Sequence, residues 1–167
     1  NPPEPDAAWC SDITYIWTYS GFVYLTSIMD LFSRKIIAWV LSDTLEARWV
    51  VEAIEKAKKS RGVDKPKVLH SDRGIQYTCT AYRTATAGMT LSYSKKAYPW
   101  DNACIESFHA LLKREWINRF KIRDYEHAYK IQECHRHSCC EARVMRSMTY
   151  FICVPLQSAG GTSQMRD

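Results

Sequence analysis

Two aspartates lie at positions where a carboxylate can do chemistry. Asp12 falls inside a segment of apolar, strand-forming residues, where a carboxylate is costly to desolvate unless it is paired or bound to a metal. Asp72 follows a predicted short strand, Val68–His70, and α/β folds place ligands at the carboxyl ends of strands. Each position also has an ordinary explanation: Asp12 as an acid on an exposed strand face, and Asp72 as the start of a tight turn at Gly74.

A third acid lies on a strongly predicted helix. Four polar residues at steps of four, three and four share one face of this helix, which therefore carries an acid, an imidazole and an amine. They are Asn102, Glu106, His109 and Lys113. The adjacent face is apolar and contains Ile105, Phe108, Leu112 and Trp116. Considered alone, the polar face is more simply explained as a solvated stripe of an amphipathic helix.

Considered together, the three acids predict a metal site. Asp12 and Asp72 on strand segments and Glu106 on a helix could converge on a pair of divalent cations, and carboxylate oxygens suit Mg²⁺ or Mn²⁺. Two such ions about 4 Å apart activate the attacking oxygen and stabilise the leaving oxygen during phosphodiester displacement. No Ser–His–Asp motif and no Gly-rich phosphate loop offers a competing chemistry in this sequence.

The elements that position these acids indicate an α/β fold. Three strands are predicted within residues 9–41, and they are Cys10–Thr18, Phe22–Met29 and Lys35–Leu41. A helix follows, with a cap at Ser42, Asp43 or Thr44 and its end at Gly62.

Helices and strands then alternate along the chain. The pattern predicts, after the strand at Val68–His70, a helix near Thr80–Ala87, a strand near Met89–Tyr93, a helix from Asn102 to Arg119 capped by Asp101, and another helix from about Asp124. Three antiparallel strands followed by this alternation predict a mixed sheet with helices on its faces.

Composition permits an anionic partner without requiring one. The 167 residues carry a net charge of +5 and are 46% hydrophobic, which suits one compact domain. No apolar run approaches the roughly 20 residues that span a bilayer, so no membrane partner is expected. The seven cysteines show no disulfide framework, which favours a reducing cytoplasm.

Several ordered motifs carry a resemblance to a known family. They are Trp9-x-x-Asp12-Ile-Thr-Tyr15, the turn Asp30-Leu-Phe-Ser-Arg34, His70-Ser-Asp-Arg-Gly-x-Gln-Tyr77 and Trp100-Asp-Asn-Ala-x-x-Glu-Ser-Phe108. Over about residues 5–130 the chain resembles the integrase-like DDE transposases of bacterial insertion sequences. The resemblance implies a ribonuclease H-like fold, two Mg²⁺ ions (or Mn²⁺), and Asp12, Asp72 and Glu106 as the catalytic, metal-binding triad. Between Asp72 and Glu106 lie 33 residues, slightly fewer than is commonest in that family.

Four basic residues are candidate DNA contacts. The resemblance places Lys113 at a basic position two helical turns after the glutamate, beside the triad. Lys95, Lys96 and Arg114 could hold phosphates as well, and each is explained equally well as a solubilising surface charge.

The resemblance stops after about Lys130, where the chain reads Ile131-Gln-Glu-Cys-His-Arg-His-Ser-Cys-Cys-Glu. We therefore predict a linker at 1–8, an integrase-like core at 9–130 and a divergent, partly disordered C-terminal segment at 131–167, as a frameshift would produce. Cysteines and histidines within residues 134–140 are zinc-ligand types, but they do not form the two separated pairs of an ordinary structural site.

The sequence thus favours a transposase catalytic core that hydrolyses phosphodiesters at transposon ends and joins the freed 3′-hydroxyl to target DNA. Expected partners are DNA, a separate DNA-recognition domain or subunit, and further copies of the chain assembled on DNA. Two alternatives stay open: a ribonuclease H-like nuclease that only hydrolyses, and a decayed, non-enzymatic remnant that binds DNA weakly.

Overall fold

The computed structural model describes residues 2–63, 66–94 and 102–137, with the side chains of the last range described as far as residue 131. Its first half is an antiparallel meander of three strands, β1 (Ala8–Thr18), β2 (Gly21–Asp30) and β3 (Ile36–Ser42). β1 and β2 are joined by a tight turn at Ser20-Gly21, where Gly21 has a φ of 123°, a conformation that side chains disfavour. All three predicted strands are present, each within two residues of its expected bounds.

Two short parallel strands complete the sheet. β4 (Val68–Ser71) pairs with β1, and β5 (Thr90–Tyr93) pairs with β4, which gives the order β3-β2-β1-β4-β5. β1 is therefore the central strand, antiparallel to one neighbour and parallel to the other. The predicted mixed sheet is confirmed.

One face of the sheet is covered by α1 (Ala47–Arg61). Its buried residues Val50, Ala53 and Ile54 pack against residues of the three meander strands, and α2 (Thr80–Ala85) adds Tyr82 to the same cluster. The helix ends at Gly62 as expected, with a left-handed φ of 64°.

The predicted cap of α1 is wrong. The residue before the helix is Glu46, which makes no side-chain cap hydrogen bond, so none of Ser42, Asp43 and Thr44 serves as the cap. The reason is local: the Thr44 hydroxyl instead accepts a hydrogen bond from the Trp49 indole at 2.9 Å. The chain needs these residues to turn from β3 onto the sheet face.

The opposite face is covered by α3 (Ala103–Glu115) and α4 (Tyr125–His137). Leu112 of α3 and Ile131 of α4 share a buried cluster with Ile16, Val23 and Leu25 of the sheet. The predicted helix to Arg119 is interrupted, because a separate 3-10 turn follows at Ile117–Arg119. The backbone of the β1–β2 turn bonds to the segment before α4, from Tyr19 N to Ile122 O and from Ser20 N to Arg123 O, both at 3.0 Å.

Some sequence predictions lie outside the described residues. These are the cap at Asp101 and the side chains of the cysteine- and histidine-rich stretch at 134–140. The domain boundaries stay predictions, although α4 continues through residue 137. Within the described part of the chain, no helix is both long and apolar enough to cross a membrane.

Candidate active site

Asp12 lies on the α3 side of the central strand. In the β1–β2 register it stands directly opposite Ser27, and its side chain is 18% exposed. His109 of α3 packs over both residues: Nδ1 lies 3.1 Å from Asp12 Oδ2, and Nε2 lies 3.0 Å from Ser27 Oγ. The carboxylate is thus partly desolvated but held by a hydrogen bond, which explains why the strand tolerates it.

Asp72 comes directly after β4, at the carboxyl end of the strand. Cys10 of β1 is the register partner of His70 of β4, and this is the last pair between the two strands, so Asp12 and Asp72 each lie two residues beyond it. Paired strands lie about 4.8 Å apart, so the two aspartates follow adjacent stretches of the same sheet. The backbone N–H of Gly74 donates to Asp72 Oδ1 at 2.8 Å and fixes that carboxylate.

The turn after Asp72 is tight at Gly74, where an added side chain would press on its neighbours. A Cβ there would lie 3.1 Å from Asp72 Oδ1 and 3.1 Å from Gln76 Oε1. The φ of −56° and ψ of 152° at this residue suit any amino acid, so the glycine is explained by the close approach of the carboxylate and not by backbone strain.

Tyr77 ties the two aspartate-bearing segments together. Its hydroxyl is buried and lies 3.2 Å from the hydroxyl of Ser11, the neighbour of Asp12. Burial raises the pKa of Tyr77 well above its usual value, the Ser11 hydrogen bond opposes this, and the charges of Asp12 and Asp72 raise the pKa further. The charges of both carboxylates raise the pKa of this one phenol, so both carboxylates lie within electrostatic range of it.

Glu106 lies on α3, anchored beside the strands by Ile105. Ile105 is fully buried against Cys10 and Met29, whereas Glu106 itself is exposed and makes no hydrogen bond or ion pair within the described residues. It precedes His109 by three residues, about 4.5 Å along the helix axis. The helix that carries Glu106 therefore contacts Asp12 through His109.

The structure places Asp12 and Asp72 each two residues beyond the last β1–β4 pair and brings the helix of Glu106 to Asp12 through His109, but it does not close a cluster of three. Among the side chains of residues 2–63, 66–94 and 102–131, no group of three or more His, Cys, Asp or Glu is arranged to hold a metal ion. The donor chemistry nevertheless fits a hard cation. In this part of the chain Asp12 Oδ1, Asp72 Oδ2 and both oxygens of Glu106 make no hydrogen bond, which leaves oxygen ligands of the kind that Mg²⁺ prefers.

The candidate DNA-contacting residues separate into three groups. Lys113 lies half-buried on α3, two turns after Glu106, and forms no ion pair with any described residue. Arg114 is exposed and its Nε lies 2.8 Å from Glu115 Oε1, an exposed pair that contributes little. Lys95 and Lys96 lie outside the described residues.

The expectation that the polar face of α3 is solvated is wrong at two positions. Asn102 and His109 are only 5% and 4% exposed, because the helix is rotated so that this face meets β1 and β2. The sequence also gave no sign of Ser27 and Tyr77 as neighbours of the aspartates. Ser27 could have been found only from the β1–β2 register, and Tyr77 only from its place in the motif that contains Asp72.

Comparison with known proteins agrees with this arrangement. Residues 2–99 match the protein family described as the integrase core domain. The chain belongs to this family. The matched region contains Asp12 and Asp72 and ends before Glu106.

Relatives of known role are transposases of bacterial insertion sequences. The chain is 38% identical over 116 residues to the IS904 transposase of Lactococcus lactis, covering 68% of the chain and 46% of that protein. It is 39% identical over 120 residues to the IS629 transposase of Shigella sonnei, covering 70% and 40%. It is 35% identical over 147 residues to transposase InsF of IS3A from Escherichia coli, covering 81% and 51%. The chain thus belongs to the family of integrase-like insertion-sequence transposases and spans about half the length of these relatives.

Solved structures show the same fold at low sequence identity. The simian T-cell lymphotropic virus intasome, in complex with PP2A regulatory subunit B56 gamma, matches with a TM-score of 0.64 at 14% identity, covering 97% of this chain and 61% of that chain. The HTLV-2 integrase catalytic core domain, in complex with magnesium, matches with a TM-score of 0.58 at 13% identity, covering 89% and 87%. The predicted ribonuclease H-like fold is confirmed.

The raised pKa of Tyr77 predicts a pH dependence of stability. Above about pH 10 the unfolded chain loses the phenol proton while the folded chain keeps it, so the folded state binds more protons and its free energy of unfolding falls as pH rises. Each such phenol contributes a slope of up to about 1.4 kcal/mol per pH unit. Urea denaturation between about pH 8 and pH 11 should therefore show a shallower decline for Tyr77→Phe than for the wild type.

The matched control is Tyr15→Phe, which removes a phenol that is 48% exposed. It should follow the wild-type decline. Equal slopes for wild type and Tyr77→Phe would show that the phenol ionises as freely in the folded chain as in the unfolded one.

Proposed function

We propose that this chain is the catalytic core of a DNA transposase that hydrolyses phosphodiesters at transposon ends and then uses the freed 3′-hydroxyl to attack target DNA. The observation that carries the proposal is the position of Asp12 and Asp72, each two residues beyond the last pair of the adjacent parallel strands β1 and β4, with the helix of Glu106 held against Asp12 by the His109 hydrogen bond. Membership of the integrase core family supports it.

The proposed roles follow from the positions of the acids. Asp12 and Asp72 would bind or bridge two Mg²⁺ or Mn²⁺ ions, and Glu106 would complete one of the two sites. Such ions supply charge neutralisation and an activated oxygen nucleophile for phosphodiester displacement. The protein orients its carboxylates through the His109 and Gly74 hydrogen bonds, and no covalent enzyme intermediate is needed.

Partners are part of the same proposal. A core that spans about half the length of its relatives needs another domain or subunit to recognise transposon ends, and we propose that several copies act together on DNA inside the bacterial cytoplasm. The simian viral neighbour is an intasome, which supports assembly on DNA as the working form.

A branched DNA tests the chemistry directly. In this probe one strand is already joined to a duplex, so resealing of the duplex with release of the strand is the reverse of joining and needs no particular end sequence. With Mn²⁺ the full chain should convert the probe to resealed duplex, and Asp72→Asn should abolish the conversion. Cleavage without resealing would indicate a nuclease that only hydrolyses. Binding of the probe with neither product would indicate a decayed remnant.

Metal binding should be visible without DNA. A cation that binds the folded chain and not the unfolded one raises the melting temperature, by an amount that corresponds to about 2.7 kcal/mol at a hundredfold excess over Kd. We expect Mn²⁺ to raise the melting temperature of the wild type and of Asp43→Asn, an exposed acid outside the site, but not that of Asp72→Asn. Asp72 would lose its assignment if its variant responded to Mn²⁺ as strongly as the Asp43 variant.

Gly74→Ala gives a second variant that keeps every carboxylate. The new methyl group would displace Asp72 Oδ1 or the end of Gln76, so the response to Mn²⁺ should weaken although the backbone conformation is allowed.

Lys113 should contact a DNA phosphate. Lys113→Ala should weaken binding to a duplex of arbitrary sequence and lower the dependence of log affinity on log salt by roughly one phosphate contact. The control is Lys59→Ala, which removes the same charge from an exposed position on α1, across the sheet. If both variants bind with the same affinity and salt dependence, Lys113 is only a surface charge.

A further inference from the structure

We infer that His109 is a positioning residue, which sets the orientation of the Asp12 carboxylate and the placement of the Glu106 helix against β1. This inference rests on the proposed function, because it concerns how the protein prepares that site for a divalent cation. A buried histidine with two satisfied nitrogens is often only a core residue. His109 differs in that one of its two partners, Asp12, is a candidate metal ligand.

The imidazole connects three elements at one point. His109 comes from α3, its Nδ1 partner Asp12 comes from β1, and its Nε2 partner Ser27 comes from β2. Ser27 is itself buried and is the register partner of Asp12, so the ring spans a cross-strand pair that the sheet already holds fixed.

The two hydrogen-bonding partners fix the orientation of the ring. An ionised carboxylate only accepts, so Nδ1 carries the hydrogen that is donated to Asp12 Oδ2. Nε2 faces the Ser27 hydroxyl, which can donate or accept. The two contacts together hold the ring with Nδ1 directed at Asp12. The ring also lies 5.5 Å from the ring of Phe108, which limits its rotation.

Two consequences follow for the site. His109 contacts one oxygen of the Asp12 carboxylate, and the other oxygen makes no hydrogen bond within the described residues. One oxygen is therefore left to bind a cation. In addition, any rotation or slide of α3 would break both contacts of His109, so the same side chain fixes where Glu106 lies relative to Asp12. Groups that orient a metal ligand in this way typically change metal affinity 10–100-fold when they are removed.

Two substitutions separate the contacts. His109→Asn keeps a donor near the position of Nδ1 and loses the contact with Ser27, whereas His109→Gln keeps a polar group near Nε2 and loses the donor to Asp12. His109→Phe retains the ring volume and removes both contacts, and Ser27→Ala removes only the contact at Nε2. The matched control is His127→Asn on α4, whose Nδ1 accepts from Arg123 N at 3.3 Å, away from the site.

The measurement is the affinity of the full chain for Mn²⁺ alone, by isothermal titration calorimetry, with the metal-free melting temperature measured in parallel. We expect His109→Gln and His109→Phe to bind Mn²⁺ at least about tenfold more weakly than the wild type, and His109→Asn and His127→Asn to stay within about threefold. Ser27→Ala should fall between these groups.

A histidine that only fills the core would give another pattern. Its variants would differ in metal-free melting temperature but would bind Mn²⁺ as the wild type does, and this result would overturn the inference. If His109→Phe does not fold, the comparison of His109→Gln with His109→Asn still decides, because the two differ in which contact they keep. Absence of Mn²⁺ binding by the wild type would count against the proposed function itself, and binding that is lost in Asp72→Asn but unchanged in every His109 variant would count against this inference alone.

Discussion

A carboxylate that acts from a central strand must be accessible to a ligand and also fixed in position. The pairing of β1 meets both requirements. β1 pairs with β2 along nearly its whole length but with β4 only from Ala8 to Cys10. Asp12 stands just past the point where the parallel pairing stops, so its side chain keeps some exposure while its backbone stays in the sheet. The rest of the site is arranged around this position: Asp72 at the end of β4, Tyr77 beneath the two strands, and α3 above them.

The sequence predicted the elements well because their signals are local. Runs rich in apolar, β-branched and aromatic residues predicted the strands, and residues at helical spacing predicted α1 and α3, with Gly62 marking the end of α1. The Asp-x-Gly turn at Asp72 was also predicted. A glycine in such a turn is ordinarily expected because of its backbone freedom. Here the glycine instead lets the Asp72 carboxylate approach closely, because an added side chain would press on it.

What the sequence did not predict depends on contacts between distant segments. Helical spacing puts His109 on the same face as Glu106, but it gives no information on which face meets the sheet, so the burial of His109 could not be seen. The cap of α1 was missed because the Thr44 hydroxyl has a better partner in Trp49. Glu106 lies beyond the part of the chain that matches the family, so its assignment depends on its motif and on the docking of α3.

The contact between His109 and Asp12 joins residues that are 97 positions apart in the chain. The meander of β1, β2 and β3 has short connections, and its entropic cost of closure is small, whereas docking α3 closes a long loop. A growing chain that has emerged only as far as α1 already contains every residue of the meander, yet it contains neither Asp72 nor His109. Asp12 is therefore synthesised early, and Asp72 and His109 are synthesised after it. A chain that ended before α3 would contain every strand of the sheet but neither Glu106 nor His109.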